Sequence, residues 1–119
     1  LSIDSLLKEL VSSVEGATGA ILLEADGEAV QWYSSDGERL RLRGAYVAVV
    51  LRSCRATAVR AKVSDLGCLI LAYNGASFVA QEIDRNCSIV LELSPLANIG
   101  QALFRLKPAV ERLRSEIER

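Results

Sequence analysis

The stretch RLRLRGAYVAVVLRSCRATAVRAKVSDL, residues 39–66, decides how the rest of this chain is read. At about 100° per residue, with Arg41 at the origin, Val47, Val50, Leu51, Cys54, Ala58 and Ala61 share one broad face of a helix, and Leu42, Ala45, Tyr46, Val49 and Ala56 share another. A narrow stripe is left for Arg41, Arg52, Arg55 and Lys62. A helix apolar on two sides needs two things to pack against. In a chain of 119 residues one of them is the protein's own sheet, and the other is expected to be a second subunit. The helix therefore points to a partner-binding module and away from an enzyme.

Toward the N-terminus, Ile3, Leu6, Leu7, Leu10, Val11 and Val14 recur at helical spacing, which predicts an amphipathic helix over 3–15, capped by Ser2 or Asp4 and ended by Gly16. From Ala17 to Glu24 the chain is apolar on both alternating sets, as in a strand covered on both faces. Asp26-Gly27 supplies a type I′ turn signal, and Glu28 to Ser34 returns as a second strand that sends Trp32 and Tyr33 to opposite faces.

Toward the C-terminus, Cys68 to Tyr73, Ser77 to Ile83 and Cys87 to Leu93 read as a three-strand meander, turned by Asn74-Gly75 and by Asp84-Arg85-Asn86. Ser94 as cap and Pro95 at the first helical position open a last helix. Its Leu96, Ile99, Leu103, Leu106, Val110, Leu113 and Ile117 form one apolar seam. Pro108 inside that seam predicts a kink near Phe104 to Pro108, not two helices. The order α-β-β-α-β-β-β-α yields a three-layer α/β/α sandwich around a five-stranded, mostly antiparallel sheet, as one domain over residues 1–119. Periodicity leaves the strand order open.

Half the residues are hydrophobic and the net charge is −1, so the chain is globular. No apolar run approaches the ~18 residues of a membrane span and no leader opens the chain, which makes a cytoplasmic protein the expectation. Cys54, Cys68 and Cys87 sit in apolar contexts at spacings unlike a metal site or a disulfide framework, and are expected to be buried free thiols. There is no His, which removes Ser-His-Asp catalysis and His-ligated zinc together.

Charge is segregated along the chain. Residues 1–38 hold eight acids against Lys8, and residues 39–62 hold seven bases and no acid. With aromatics at only 5%, this block reads as the solvated edge of the helix and not as a nucleic-acid surface. No phosphate-loop or dinucleotide pattern follows Gly16, Gly19 or Gly27. Glu24, Asp26 and Glu28 cluster at a hairpin, where turn chemistry and solvated strand ends account for them. Arg85, on a turn, is placed like a finger that donates charge to a phosphate, but the preferred reading is a solubilising turn residue. No catalytic residue, cofactor or metal site is expected.

Gly16-Ala17-Thr18-Gly19-Ala20-Ile21-Leu22-Leu23, the Asp26-Gly27 turn, the small-residue central helix, and Ile89-Val90-Leu91-Glu92-Leu93 followed by Asn98-Ile99-Gly100 together resemble the Roadblock family, which includes dynein light chains and bacterial partners of Ras-like GTPases. The resemblance spans essentially the whole chain; Pro108 is not part of the pattern. It implies strand order 2-1-5-4-3 with the long helix alone on one face. It also implies a homodimer in which third strands pair edge to edge and the long helices pack together. On this sequence that assigns Leu66 to Tyr73 to the edge, with Leu66, Cys68, Leu69, Ile70 and Leu71 in the interface. Tyr46, Val49, Val50, Ser53 and Thr57 are assigned to the helix contact. Arg52, Arg55, Lys62 and Arg85 are the candidate surface for a further partner. The function so implied is that of a noncatalytic regulator that binds the switch region of a small Ras-like GTPase and promotes GTP hydrolysis. The alternatives are a scaffold or light-chain adaptor without effect on turnover, and a sensory module with a small molecule between sheet and helix.

Overall fold

The computed structural model describes residues 2–63 and 66–119. Along them run α1 (Ile3–Ser13), β1 (Ala17–Glu24), β2 (Ala29–Ser34), α2 (Gly37–Arg60), β3 (Leu69–Ala72), β4 (Ser77–Glu82), β5 (Cys87–Leu93) and α3 (Ile99–Ile117). The strands form one sheet in the order β2-β1-β5-β4-β3, and every neighbouring pair is antiparallel. This is the α/β sandwich that the element order predicts, with the strand order that the resemblance implies.

The apolar runs of β1 and β5 follow from their central position, because each has a helix layer on both sides. Ala20 and Leu22 of β1 and Ile89, Leu91 and Leu93 of β5 pack with Leu6, Leu7 and Leu10 of α1 and with Ala102, Leu106, Val110 and Leu113 of α3. The intervening residues Ile21, Leu23 and Val90 turn the other way, toward Leu40, Val47, Ala48 and Leu51 of α2. Two helices thus cover one face of the sheet, and α2 alone covers the other.

Several boundaries differ from the sequence expectation, each for a local reason. The β1–β2 hairpin is not a type I′ turn: Glu24 N–H donates to Glu28 O at 2.8 Å, Gly27 N–H donates to Glu24 O at 2.9 Å, and only Gly27 has positive φ, at 91°. That is the pattern of a three-residue loop with glycine in the left-handed position. Helix α2 ends at Arg60, short of the expected Leu66; positions 64 and 65 of that span lie outside the described residues. It stops because Lys62 turns left-handed at φ 58°, so that Val63 N–H reaches Ala58 O and Lys62 N–H reaches Val59 O, both at 3.2 Å. These two bonds are the Schellman pair that closes a helix.

Strand β3 is only four residues long, so Leu66 and Cys68 precede it and Tyr73 follows it. Helix α3 starts with Asn98 as its cap and not with Ser94, the Asn98 side chain accepting from Gln101 N–H at 2.9 Å. Ser94 is occupied otherwise: its N–H donates to Gly16 O at 2.8 Å and its carbonyl accepts from Ala97 N–H at 3.0 Å. Leu96 is consequently 95% exposed and leaves the apolar seam. Helix α3 runs unbroken through Pro108, which lies with Phe104 on the exposed side, where water can serve the carbonyl that the proline leaves without a donor.

Gly16 joins the end of α1 to this turn with φ 87°, and a Cβ built there would lie 2.7 Å from Ala97 Cβ. Gly16→Ala is therefore expected to destabilise the protein by about 2–4 kcal/mol, combining left-handed strain with a clash. Urea unfolding should show a lower midpoint at unchanged slope; an unchanged midpoint would contradict this account of the α1–α3 junction.

Candidate functional site

Helix α2 is held on the sheet by two devices. The first is Gly44, buried where a Cβ would lie 3.0 Å from Ile21 Cγ2, so the helix backbone approaches β1 closely. The second is Glu92 of β5, whose side chain is 1% exposed and points at the helix. Its Oε1 accepts from Thr18 Oγ1 at 2.7 Å and from Arg39 Nη2 at 3.1 Å, and its Oε2 accepts from Arg43 Nη1 at 3.1 Å. Three donors from two other elements thus compensate a charge that burial would otherwise make costly. Sequence reasoning assigned Glu92 no role. The available signal was a lone acid inside an apolar strand, set against a basic block that contains no acid.

With the helix held this way, the second apolar face found in the sequence points outward. Leu42 is 60% exposed, Tyr46 67%, Val49 52% and Val50 37%. Val50 thus joins the outward face and not the buried one. Ser53, Ala56 and Thr57 continue the exposed stripe with small side chains. Beside it, Arg43, Tyr46 and Val47 of α2 face Tyr73, Gly75, Ala76 and Phe78 of the β3–β4 hairpin across an open groove of about 400 Å³. Tyr73 packs edge-on to Phe78 with ring centroids 6.2 Å apart.

Strand β3, the terminal strand of the sheet, leads into that groove through Tyr73. Leu69 and Leu71 are half-buried on the α2 side, together with Leu66, while Ile70 pairs with Val79 and is exposed on the opposite face. Of the interface residues expected from the sequence, Tyr46, Val49, Val50, Ser53 and Thr57 therefore lie together on the exposed helix. Leu69, Ile70 and Leu71 lie on the edge strand, and Leu66 and Cys68 lie just before it.

The candidate basic surface is brought together in part. Arg52, Arg55 and Arg85 line one small cleft with Glu82 and Asp84, between α2 and the β4–β5 turn. Arg55 is bridged to Glu82 at 3.3 Å, whereas Arg52 and Arg85 have no ion pair among the described residues. Lys62 lies outside the cleft, in the helix cap. The three cysteines are unpaired and half-buried, more accessible than expected. Glu24, Asp26 and Glu28 do converge, with carboxylate oxygens within 4.8 Å of one another, but all three are exposed.

No protein-family model matches the sequence, and no curated protein matches it. Solved structures do match. A Roadblock/LC7 domain from Streptomyces avermitilis superposes at TM-score 0.90 over 100% of both chains, with 16% identity. The chain has the Roadblock/LC7 fold. The gliding protein MglB from Thermus thermophilus superposes at TM-score 0.84 with 19% identity, covering 96% of this chain and 87% of that one. Myxococcus xanthus MglB gives TM-score 0.86 with 13% identity, over 98% and 94%. At these identities the Roadblock fold is what is shared, and the exposed α2 stripe is a property of this chain's own residues. Among the described residues no helix is long and apolar enough to cross a membrane.

The Glu92 network gives a graded prediction. Replacing Arg39 and Arg43 together by Ala strands a buried carboxylate and is expected to cost about 3 kcal/mol. Glu92→Gln, which keeps the shape and the Thr18 contact, is expected to cost about 1–2 kcal/mol. Urea midpoints in the reverse order would show that Arg39 and Arg43 do not hold Glu92 in place. Burial, followed by the charges of Asp84 and Glu24, pushes the Cys87 thiol up. At about pH 8 Cys87 should therefore be alkylated by iodoacetamide more slowly than an unstructured thiol peptide, and the lag should vanish in denaturant.

Proposed function

We propose that this chain is a noncatalytic, homodimeric regulator of a small Ras-like GTPase, acting in the cytoplasm. The observation that carries the reading is the outward stripe of Leu42, Tyr46, Val49 and Val50 on the lone helix of its face, next to an edge strand that carries no charge. A second copy related by a two-fold axis covers both at once. Its α2 packs on the exposed α2, and its Leu69–Ala72 pairs with the same strand, so that two five-stranded sheets become one of ten. Ser53, Ala56 and Thr57 let the two helices approach closely.

The dimer then presents Arg52 and Arg85, with Arg55 beside them and Lys62 at the end of α2, to the GTPase. Binding to the nucleotide-dependent switch region selects its catalytic arrangement, and the GTPase's own residues carry out phosphoryl transfer. Similarity of fold to the gliding protein MglB and to Roadblock/LC7 domains supports a regulatory role over a catalytic one.

Titrating the protein into a GTP-turnover assay of the Ras-like GTPase encoded nearest to it tests the regulatory part. A saturable rise in turnover is expected. Binding without any rise would replace regulation by an adaptor role. Val50→Glu tests the assembly separately, since Val50 is partly exposed in the protomer and the fold should tolerate the change. It places an unpaired charge at the contact, costs about 2 kcal/mol or more per protomer in association, and should give a monomer in light scattering. A variant that remains a stable dimer would remove α2 from the interface.

A further inference from the structure

The sheet has a second edge, β2, which the proposed dimer does not use. Among the described residues, no backbone hydrogen bond outside the helices and strands involves residues 29–34, so the outer amides and carbonyls of β2 have no protein partner. Edge strands are ordinarily protected by charge, proline or distortion. This one, Ala29-Val30-Gln31-Trp32-Tyr33-Ser34, has neither charge nor proline. Its one distortion is a bulge near the hairpin, where the register slips between Leu22 and Leu23, and Gln31 to Ser34 stay regularly paired with β1. Val30 is 45% exposed, and Trp32 and Tyr33 are 37% exposed each.

Uncompensated charge of opposite sign stands at two places along this edge. Arg41 of α2 stacks over Trp32, with its guanidinium 4.8 Å from the ring centroid, and has no ion pair among the described residues. At the hairpin end stand Glu24, Asp26 and Glu28, again without an ion pair among the described residues. A second copy docked here through a two-fold axis near Trp32 sets Arg41 against its own counterpart and the acidic hairpin against Asp36 and Glu38. Like charges placed directly opposite repel. A foreign strand with a carboxylate at the Trp32 position and basic residues at the hairpin end meets both charges correctly.

We propose that β2 is a docking edge for an extended segment of another protein, which adds to the sheet antiparallel to β2, its carboxylate on Arg41 and its basic end on the Glu24–Glu28 hairpin. Backbone hydrogen bonds supply the binding, as in other strand additions, and the two charges fix direction and register.

The test is an NMR titration of the isotope-labelled protein with the capped peptide Thr-Val-Glu-Val-Thr-Val-Lys-Lys and with its charge-swapped counterpart Thr-Val-Lys-Val-Thr-Val-Glu-Glu. With the first, shifts should concentrate at residues 29–34 and the Trp32 indole, amide exchange within 31–34 should slow, and the swapped peptide should bind about tenfold more weakly. Arg41→Glu, an exposed change, should remove that preference. Equal affinity for the two peptides, shifts that map to β3 or to the α2 stripe, or no perturbation of β2 would each overturn the proposal. So would peptide-free protection of 31–34 that grows with protein concentration, which would assign the edge to a second copy.

Discussion

One helix cannot cover five strands. At ~4.8 Å between neighbours, the outer strands of such a sheet stand roughly 19 Å apart, whereas a helix with its side chains is about 10–12 Å across. On the face with α1 and α3 the widths match, and the buried residues from Leu6 to Leu113 form one closed core. On the other face α2 seals the middle, over Ile21, Leu23 and Val90, and the sheet margins are left to other means. At the β2 margin Trp32 and the overhanging Arg41 provide cover. At the β3 margin Leu69 and Leu71 stay half-buried, and an open groove remains between α2 and the β3–β4 hairpin. This deficit is why the exposed apolar residues of this face lie where they do.

A helix with two apolar sides could satisfy the sheet equally well in more than one rotation, since hydrophobic burial is not directional. Glu92 removes that freedom. A carboxylate fixed on the central strand β5 and answered by Arg39 and Arg43, one turn apart on α2, accepts only one rotation of the helix. That rotation points Tyr46 and Val49 outward. A buried ion pair is weak as a source of stability but selective among packings, and here it decides which apolar face becomes surface.

The layer order, the apolar strands and the two-sidedness of α2 were legible because they are written in periodicity, and periodicity is a property of one element read alone. What stayed illegible depends on contacts distant in sequence. Ser94 and Pro95 are a sound local helix start, yet Gly16, far away in sequence, takes the Ser94 amide and moves the start to Asn98. Lys62 in a left-handed cap lacks the glycine that usually announces one. The basic block from Arg39 to Lys62 read as a solvated edge, because its acids, Glu92 and Glu82, arrive from other strands. Of the candidate site, the apolar helix residues could be named from periodicity, whereas Glu92, which sets the rotation of that helix, could not.

The same charge accounting separates two kinds of surface on the proposed reading. The α2 stripe and β3 are apolar and adjoin each other, so covering them desolvates little that is polar, and the gain scales with area, as in interfaces that stay formed. Arg52 and Arg85 differ, being charged, without an ion pair among the described residues, and lining a small cleft with Glu82 and Asp84. Covering them strips water from guanidinium groups, which only a partner with matching acids repays, and such contacts govern encounter rate and choice of partner more than lifetime. A protein that must stay paired with itself while a second protein comes and goes needs both surfaces. Segregating bases from acids along the sequence places them on one helix, with the apolar stripe and the charged cleft on different sides of α2.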